Sequence, residues 1–143
     1  MLSLSGIVNS MKIMLESKEE LSDLTFIVGF TGADKPSPLT KNYVALGIDS
    51  AKEVIKDVYS EDETPVLLFN RFCTARIRLD IFVPETSNGI ECYKIFTRLS
   101  NYIMELSTNY DFAGAGCDTI TYERDEGAFV LSAYIDVEQY SLK

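Results

Sequence analysis

Apolar and polar residues alternate along Cys73-Thr74-Ala75-Arg76-Ile77-Arg78-Leu79-Asp80-Ile81-Phe82-Val83, with Cys73, Ala75, Ile77, Leu79, Ile81 and Val83 on one side. A period of two predicts a strand with one buried face, and residues 66–83 read as the spine of a sheet. The breaker run Pro84-Glu85-Thr86-Ser87-Asn88-Gly89 ends it. The period then changes: Cys92, Ile95, Phe96, Leu99, Tyr102, Ile103 and Leu106 recur at helix spacing, with Ser87 or Asn88 as N-cap. This helix is expected to cover Ile77, Leu79 and Ile81.

The same logic reads the rest of the chain. Leu4, Ile7, Val8, Met11, Met14 and Leu15 make an opening amphipathic helix, closed by the polar run 16–20. Residues 24–30 form a short strand, and 31–41, with Gly32, Pro36 and Pro38, a loop too long for a tight hairpin. Residues 43–48 make a second strand with Val44, Leu46 and Ile48 on one side. Segment 51–59 stays open: Ala51, Val54, Ile55 and Val58 suit a helical turn, whereas Val54-Ile55 and Val58-Tyr59 suit a continuing strand. Gly114-Ala115-Gly116 reads as a turn. Two closing strands, about 118–123 and 128–137, flank Arg124-Asp125-Glu126-Gly127, whose Glu-Gly ending suits a tight hairpin. The expected fold is one α+β domain over 1–143. It has a mainly antiparallel sheet of four to five strands, two principal helices on one face, and the order α-β-β-β-α-β-β.

Composition narrows the function. The 143 residues carry a net charge of -9. Proteins that bind a phosphate backbone need clustered Lys and Arg, so nucleic acid is not expected as a primary partner. Arg71, Arg76 and Arg78 instead suggest ion pairs on a sheet surface. The first helix lacks the Lys/Arg face of an interfacial helix, and no apolar run reaches the length of a membrane span. Packing on its own sheet or on a neighbouring subunit is the expectation for that helix, with no membrane partner. Cys73, Cys92 and Cys117 lack CxxC spacing and are odd in number, which predicts reduced thiols, with Cys73 and Cys92 in the core, and synthesis in the cytoplasm.

Little in the chain suggests catalysis. There is no histidine, no Gly-x-Ser-x-Gly elbow and hence no support for a Ser-His-Asp triad, leaving only a Ser-Lys or lysine-based catalyst open. Gly114-Ala115-Gly116 lacks the Lys-Ser/Thr of a phosphate loop and precedes a strand rather than a helix. The acidic groups Glu61-Asp62-Glu63 and Glu123 with Asp125-Glu126 lack the order of a calcium loop and read as solvated turns. No enzyme, cofactor or metal site is expected. The aromatic inventory, eight Tyr and eight Phe, is more telling. Tyr134, Phe72 and Phe82 fall on the polar sides of their strands, where a monomer would leave them wet, so either a second chain or the loop 31–41 is expected to cover them.

The segments Thr74 to Pro84, Asn88-Gly89-Ile90-Glu91-Cys92-Tyr93-Lys94-Ile95-Phe96, Ile120-Thr121-Tyr122-Glu123 and Phe129-Val130-Leu131, with their order of elements, resemble the tail-terminator and tail-completion proteins of long-tailed phages and phage-derived tail-like particles. The resemblance covers about 60–143, and the earlier part by element order alone. It implies a ring-forming homo-oligomer, commonly six-fold, that caps the tail tube and stops its growth. The partners implied are tube, sheath or connector proteins, and the location is the producing bacterium's cytoplasm and then the virion tail. Phe72, Arg76, Arg78, Asp80 and Tyr134 are the subunit-interface candidates, and Asp34, Lys35 and Lys41 the tube-contact candidates. Two other readings stand beside it: a different neck or tail component, such as a head-tail adaptor or a sheath- or baseplate-associated protein, and a small ligand-binding α+β domain with a pocket between helix and sheet.

Overall fold

Helices α1 (Leu4–Glu16) and α2 (Glu91–Leu106) lie on one face of a mixed six-stranded sheet. Its strands are β1 (Leu24–Val28), β2 (Asn42–Tyr59), β3 (Pro65–Pro84), β4 (Asp111–Cys117), β5 (Thr121–Glu123) and β6 (Ala128–Leu142). The spatial order is β1-β2-β3-β6-β4, with β5 also beside β6. The structure, a computed structural model, describes residues 4–29, 40–59, 65–106 and 110–142, and the side chains of these apart from 4–5, 53–59, 65–72, 106 and 139–142.

The helix layer forms as the apolar spacing predicts. Asn88 Oδ1 accepts the Ile90 N–H at 3.1 Å, closing the turn that leads into α2, and Glu91 stands in the first turn, where the helix dipole favours an anion. Cys92, Ile95, Leu99 and Ile103 then fall on one stripe and are buried over Ile77, Leu79 and Ile81, together with Ile7, Val8, Met11 and Leu15 of α1. A single 3-10 turn, Glu19–Leu21, follows α1 and buries Leu21. Arg98 of α2 holds this connection: its Nη2 donates to Glu20 O at 2.8 Å and to Asp23 Oδ1 at 2.9 Å.

The sheet departs from expectation in three ways, in strand number, in the direction of β1 and in the lengths of the last strands, and 51–59, open from sequence, takes one of its two readings. It has six strands, and β1 runs parallel to β2 rather than antiparallel. A parallel pair needs a crossover of about a dozen residues, which is what the long breaker-rich connection after β1 supplies. Gly29, at φ 109, starts that departure while its N–H bonds Leu46 O at 2.8 Å. Segment 51–59 is strand, because the first half of β3 supplies its ladder partner from Lys52↔Thr74 to Tyr59↔Pro65. Gly114-Ala115-Gly116 is no turn but the middle of β4, paired to β6, and this adds a strand to the expected order. Strand β6 runs on to Leu142, whereas β5 is confined to three residues. The hairpin between β5 and β6 is as expected, with Gly127 at φ 58 and its N–H on Arg124 O at 3.2 Å.

Strand β3 therefore has 20 residues, about 65 Å at 3.3 Å per residue. A compact chain of this length has a radius of gyration of only about 14–15 Å. The long strands must project past the helix-covered part. Burial ends at different points on neighbouring strands: Cys73, Ala75 and Val137 are buried, but Ala51, in register with Ala75 on β2, is exposed, as are its neighbours Ser50 and Lys52.

Candidate interaction surface

On the face opposite the helices, alternation places Arg76, Arg78, Asp80 and Phe82 of β3 beside Asp136, Tyr134, Ser132 and Val130 of β6. Arg76 and Asp136 are direct cross-strand partners and pair through both ends of the fork, Nε to Oδ1 at 2.9 Å and Nη2 to Oδ2 at 3.0 Å. The guanidinium also lies over the Tyr134 ring, 3.9 Å from its centroid. The Asp136 hydrogen bond raises the already high pKa of Arg76, so the cation is permanent. Tyr134 in turn crosses Gly116 of β4, where an added Cβ would lie 2.5 Å from the phenol oxygen. Arg76, Tyr134 and Gly116 thus form one stack across three strands, and the glycine that looks like a turn residue is the floor of that stack.

The second polar group is built around Asp80, only 5% exposed. Its Oδ1 accepts Arg78 Nε and Ser132 Oγ, each at 3.0 Å. Burial of a carboxylate requires such partners. Asp80 therefore orients Arg78, whose side chain remains 41% exposed. Toward the β1 side, Tyr43, Ala45, Phe82 and Ala128 make a small second core with Ile27 and Val130, so Phe82 is covered by its own chain. Between these groups lie two shallow clefts. One, about 340 Å³, is lined by Ser50, Lys52, Thr74, Arg76, Asp136 and Glu138. The other, about 240 Å³, is lined by Asp49, Arg78, Asp118, Ser132 and Tyr134.

Chemically, the centre of this surface is held by its own ion pairs. Arg76 is engaged with Asp136 and Arg78 with Asp80, and Ser132 gives its proton to a carboxylate that also holds a guanidinium, a weak base for activating a hydroxyl. Among the described residues no three His, Cys, Asp or Glu side chains gather as a metal site, and no helix is long and apolar enough to cross a membrane. No family model matches the chain, and no curated protein matches it either.

Of the residues singled out from sequence, Arg76, Arg78, Asp80 and Tyr134 come together on this face. Phe72 stands in register between Val54 and Tyr140, with its side chain outside the described set. Asp34 and Lys35 lie outside the described residues; Lys41 is exposed just before β2, its Nζ 5.5 Å from the Tyr43 ring centroid. Sequence reasoning missed Asp136, Ser132 and Gly116. Asp136 alternates with Tyr134 and Glu138, a detectable signal, but only strand register assigns it to Arg76.

Proposed function

We propose that this chain is a structural subunit of a phage tail or tail-like particle. Copies close into a ring, commonly six-fold, that caps the tail tube and ends its polymerisation, formed in the cytoplasm of the producing bacterium and then carried in the tail. The observation that carries this reading is the continuation of β2, β3 and β6 beyond the helix layer. Paired strands that run past a helix layer gain stability from a surface packed against them, so a partner is their natural completion in this reading. The mechanism is geometric: a closed ring presents one surface to the last tube ring and occupies the site of further growth. The ordered face bearing Arg76 and Arg78 serves contacts between proteins, and the segment with Asp34, Lys35 and Lys41 reaches the tube.

Light scattering on the purified chain, with negative-stain images of the same peak, tests the reading. A closed ring that binds added tube protein is expected, with ring assembly weakened by alanine at Arg76 and Arg78. A monomer that stays monomeric with tube protein present overturns it.

A further inference from the structure

The two borders of the sheet match each other. On one side, β1 pairs with β2 only through Leu46, so among the described residues β2 has an open edge from Gly47 onward. On the other side, β4 is the border strand. Following register across all four strands, Gly116 shares a row with Tyr134, Arg78 and Gly47, and Ala115 with Ile135, Ile77 and Ile48. Gly114 shares one with Asp136, Arg76 and Ser50, Phe112 with Val137, Ala75 and Ala51, and Asp111 with Glu138, Thr74 and Lys52. Each border segment, 47–52 and 111–116, thus holds the same set of rows and one bulge, at Asp49 and Ala113.

Row by row, the ends complement one another. The outer-face row that begins in the exposed carboxylate of Asp111 ends in the exposed ammonium of Lys52. On the inner face, half-buried Phe112 is matched by the exposed small side chain of Ala51, and half-buried Ile48 by exposed Ala115. Glycine closes the Gly47–Gly116 row at both ends. Because the steps β2-β3, β3-β6 and β6-β4 are all antiparallel, β4 runs opposite to β2. A second copy laid alongside without inversion therefore meets the first as an antiparallel pair.

We propose that the Gly47–Lys52 edge of one copy pairs with the Asp111–Gly116 edge of the next, joining their sheets head to tail. The occupant of each border is a second copy of this chain, selected by the Lys52–Asp111 charge match and the large-to-small match of the inner rows. Such a heterologous contact closes into a ring, or runs on as a filament where the rotation does not close. It also removes two exposed strand edges that would otherwise invite uncontrolled pairing. The inference rests on the reading of the chain as a self-assembling subunit, and it names the contact.

The test is a pair of thiols at Lys52→Cys and Asp111→Cys, in a Cys117→Ser background. Within one copy the two positions are three strand spacings apart, about 14 Å, too far for a disulfide. Across the proposed ladder they face each other at about 4.5–5.5 Å between Cα atoms. Oxidation of the assembled protein is expected to give a ladder of covalent multimers. Separately, Lys52→Glu or Asp111→Lys is expected to weaken association roughly three- to tenfold, with the double reversal restoring it and circular dichroism unchanged throughout. An oligomer that neither cross-links nor responds to the reversals overturns the edge contact alone. A protein that is monomeric at every concentration, with tube protein present as well as alone, overturns the assembly reading with it.

Discussion

Strand β3 passes through two environments. From Ala75 to Val83 its inward side chains lie beneath two helices, with Ile77, Leu79, Ile81 and Val83 sealed from solvent. From Pro65 to Thr74 the ladder to β2 continues; at its start Cys73 is still buried, while Lys52, the partner of Thr74, is exposed. Backbone pairing is common to both halves, and among the described side chains the buried apolar layer lies in the first and runs on to Cys73. Because a hydrogen bond exchanged with water contributes only about 1 kcal/mol net, the two halves differ in what makes them stable. The helix-covered half is held by its own core. In the proposed assembly, the projecting half is completed by the protein it meets.

The sharpest way to break that contrast is Leu79→Ala set against Lys52→Ala. The first is expected to cost about 2–5 kcal/mol, through lost burial and a cavity. The second should stay within about 0.5 kcal/mol. Urea midpoints measure both, and equal losses would erase the distinction. A further substitution separates the inner from the outer face of the covered half. Gly116→Ala drives a methyl group into the Tyr134 ring and should cost about 1–3 kcal/mol. Most of that loss should disappear in a Tyr134→Ala background, and a double-mutant cycle returning no coupling would show that the stack is not tight.

Ser132→Ala takes one of two donors from buried Asp80 and is expected to lower stability by about 1 kcal/mol; the same substitution at exposed Ser50 should do nothing measurable. The smallest effect belongs to the Arg98–Asp23 pair, an exposed contact of about 1 kcal/mol or less. The Arg98 hydrogen bond holds the Asp23 carboxyl below its ordinary value. Its contribution is therefore complete above the unfolded value near 4 and is lost as pH falls through the lowered folded value. Melting curves of Arg98→Ala and the parent chain should converge in acid and separate at neutral pH.

What could be read from the sequence follows the same division. In the covered half one face is buried, so Ile77-x-Leu79-x-Ile81 and the Cys92, Ile95, Leu99, Ile103 stripe each leave a clean period, and the elements and their contact were legible. Residues Val54, Ile55, Val58 and Tyr59 leave no clean period, and the ladder partner in β3 that makes them strand lies beyond any local window. Strand β4 was hidden because Gly114 and Gly116 carry no strand signal; the reason for Gly116 is the Tyr134 ring, a contact visible only once β6 is beside it. The surface was half legible for a related reason. Alternation put Arg76, Arg78, Asp80 and Tyr134 on one face, while register was needed to find that Asp136 grips Arg76 and Ser132 supports Asp80.

The placement of the three thiols has a practical consequence. Cys92 is enclosed beneath α2, its Sγ 3.8 Å from Phe129 O, and burial pushes its pKa up to about 11, so at neutral pH it is protonated and shielded. Cys73 is buried as well, whereas Cys117 is exposed at the end of the border strand. Alkylating reagents will therefore sort these sulfurs by access, and the raised pKa of Cys92 adds to the discrimination. A fluorophore attached to the natural chain reports from β4 with no engineered cysteine, giving a spectroscopic reporter at the border where neighbouring copies are proposed to meet.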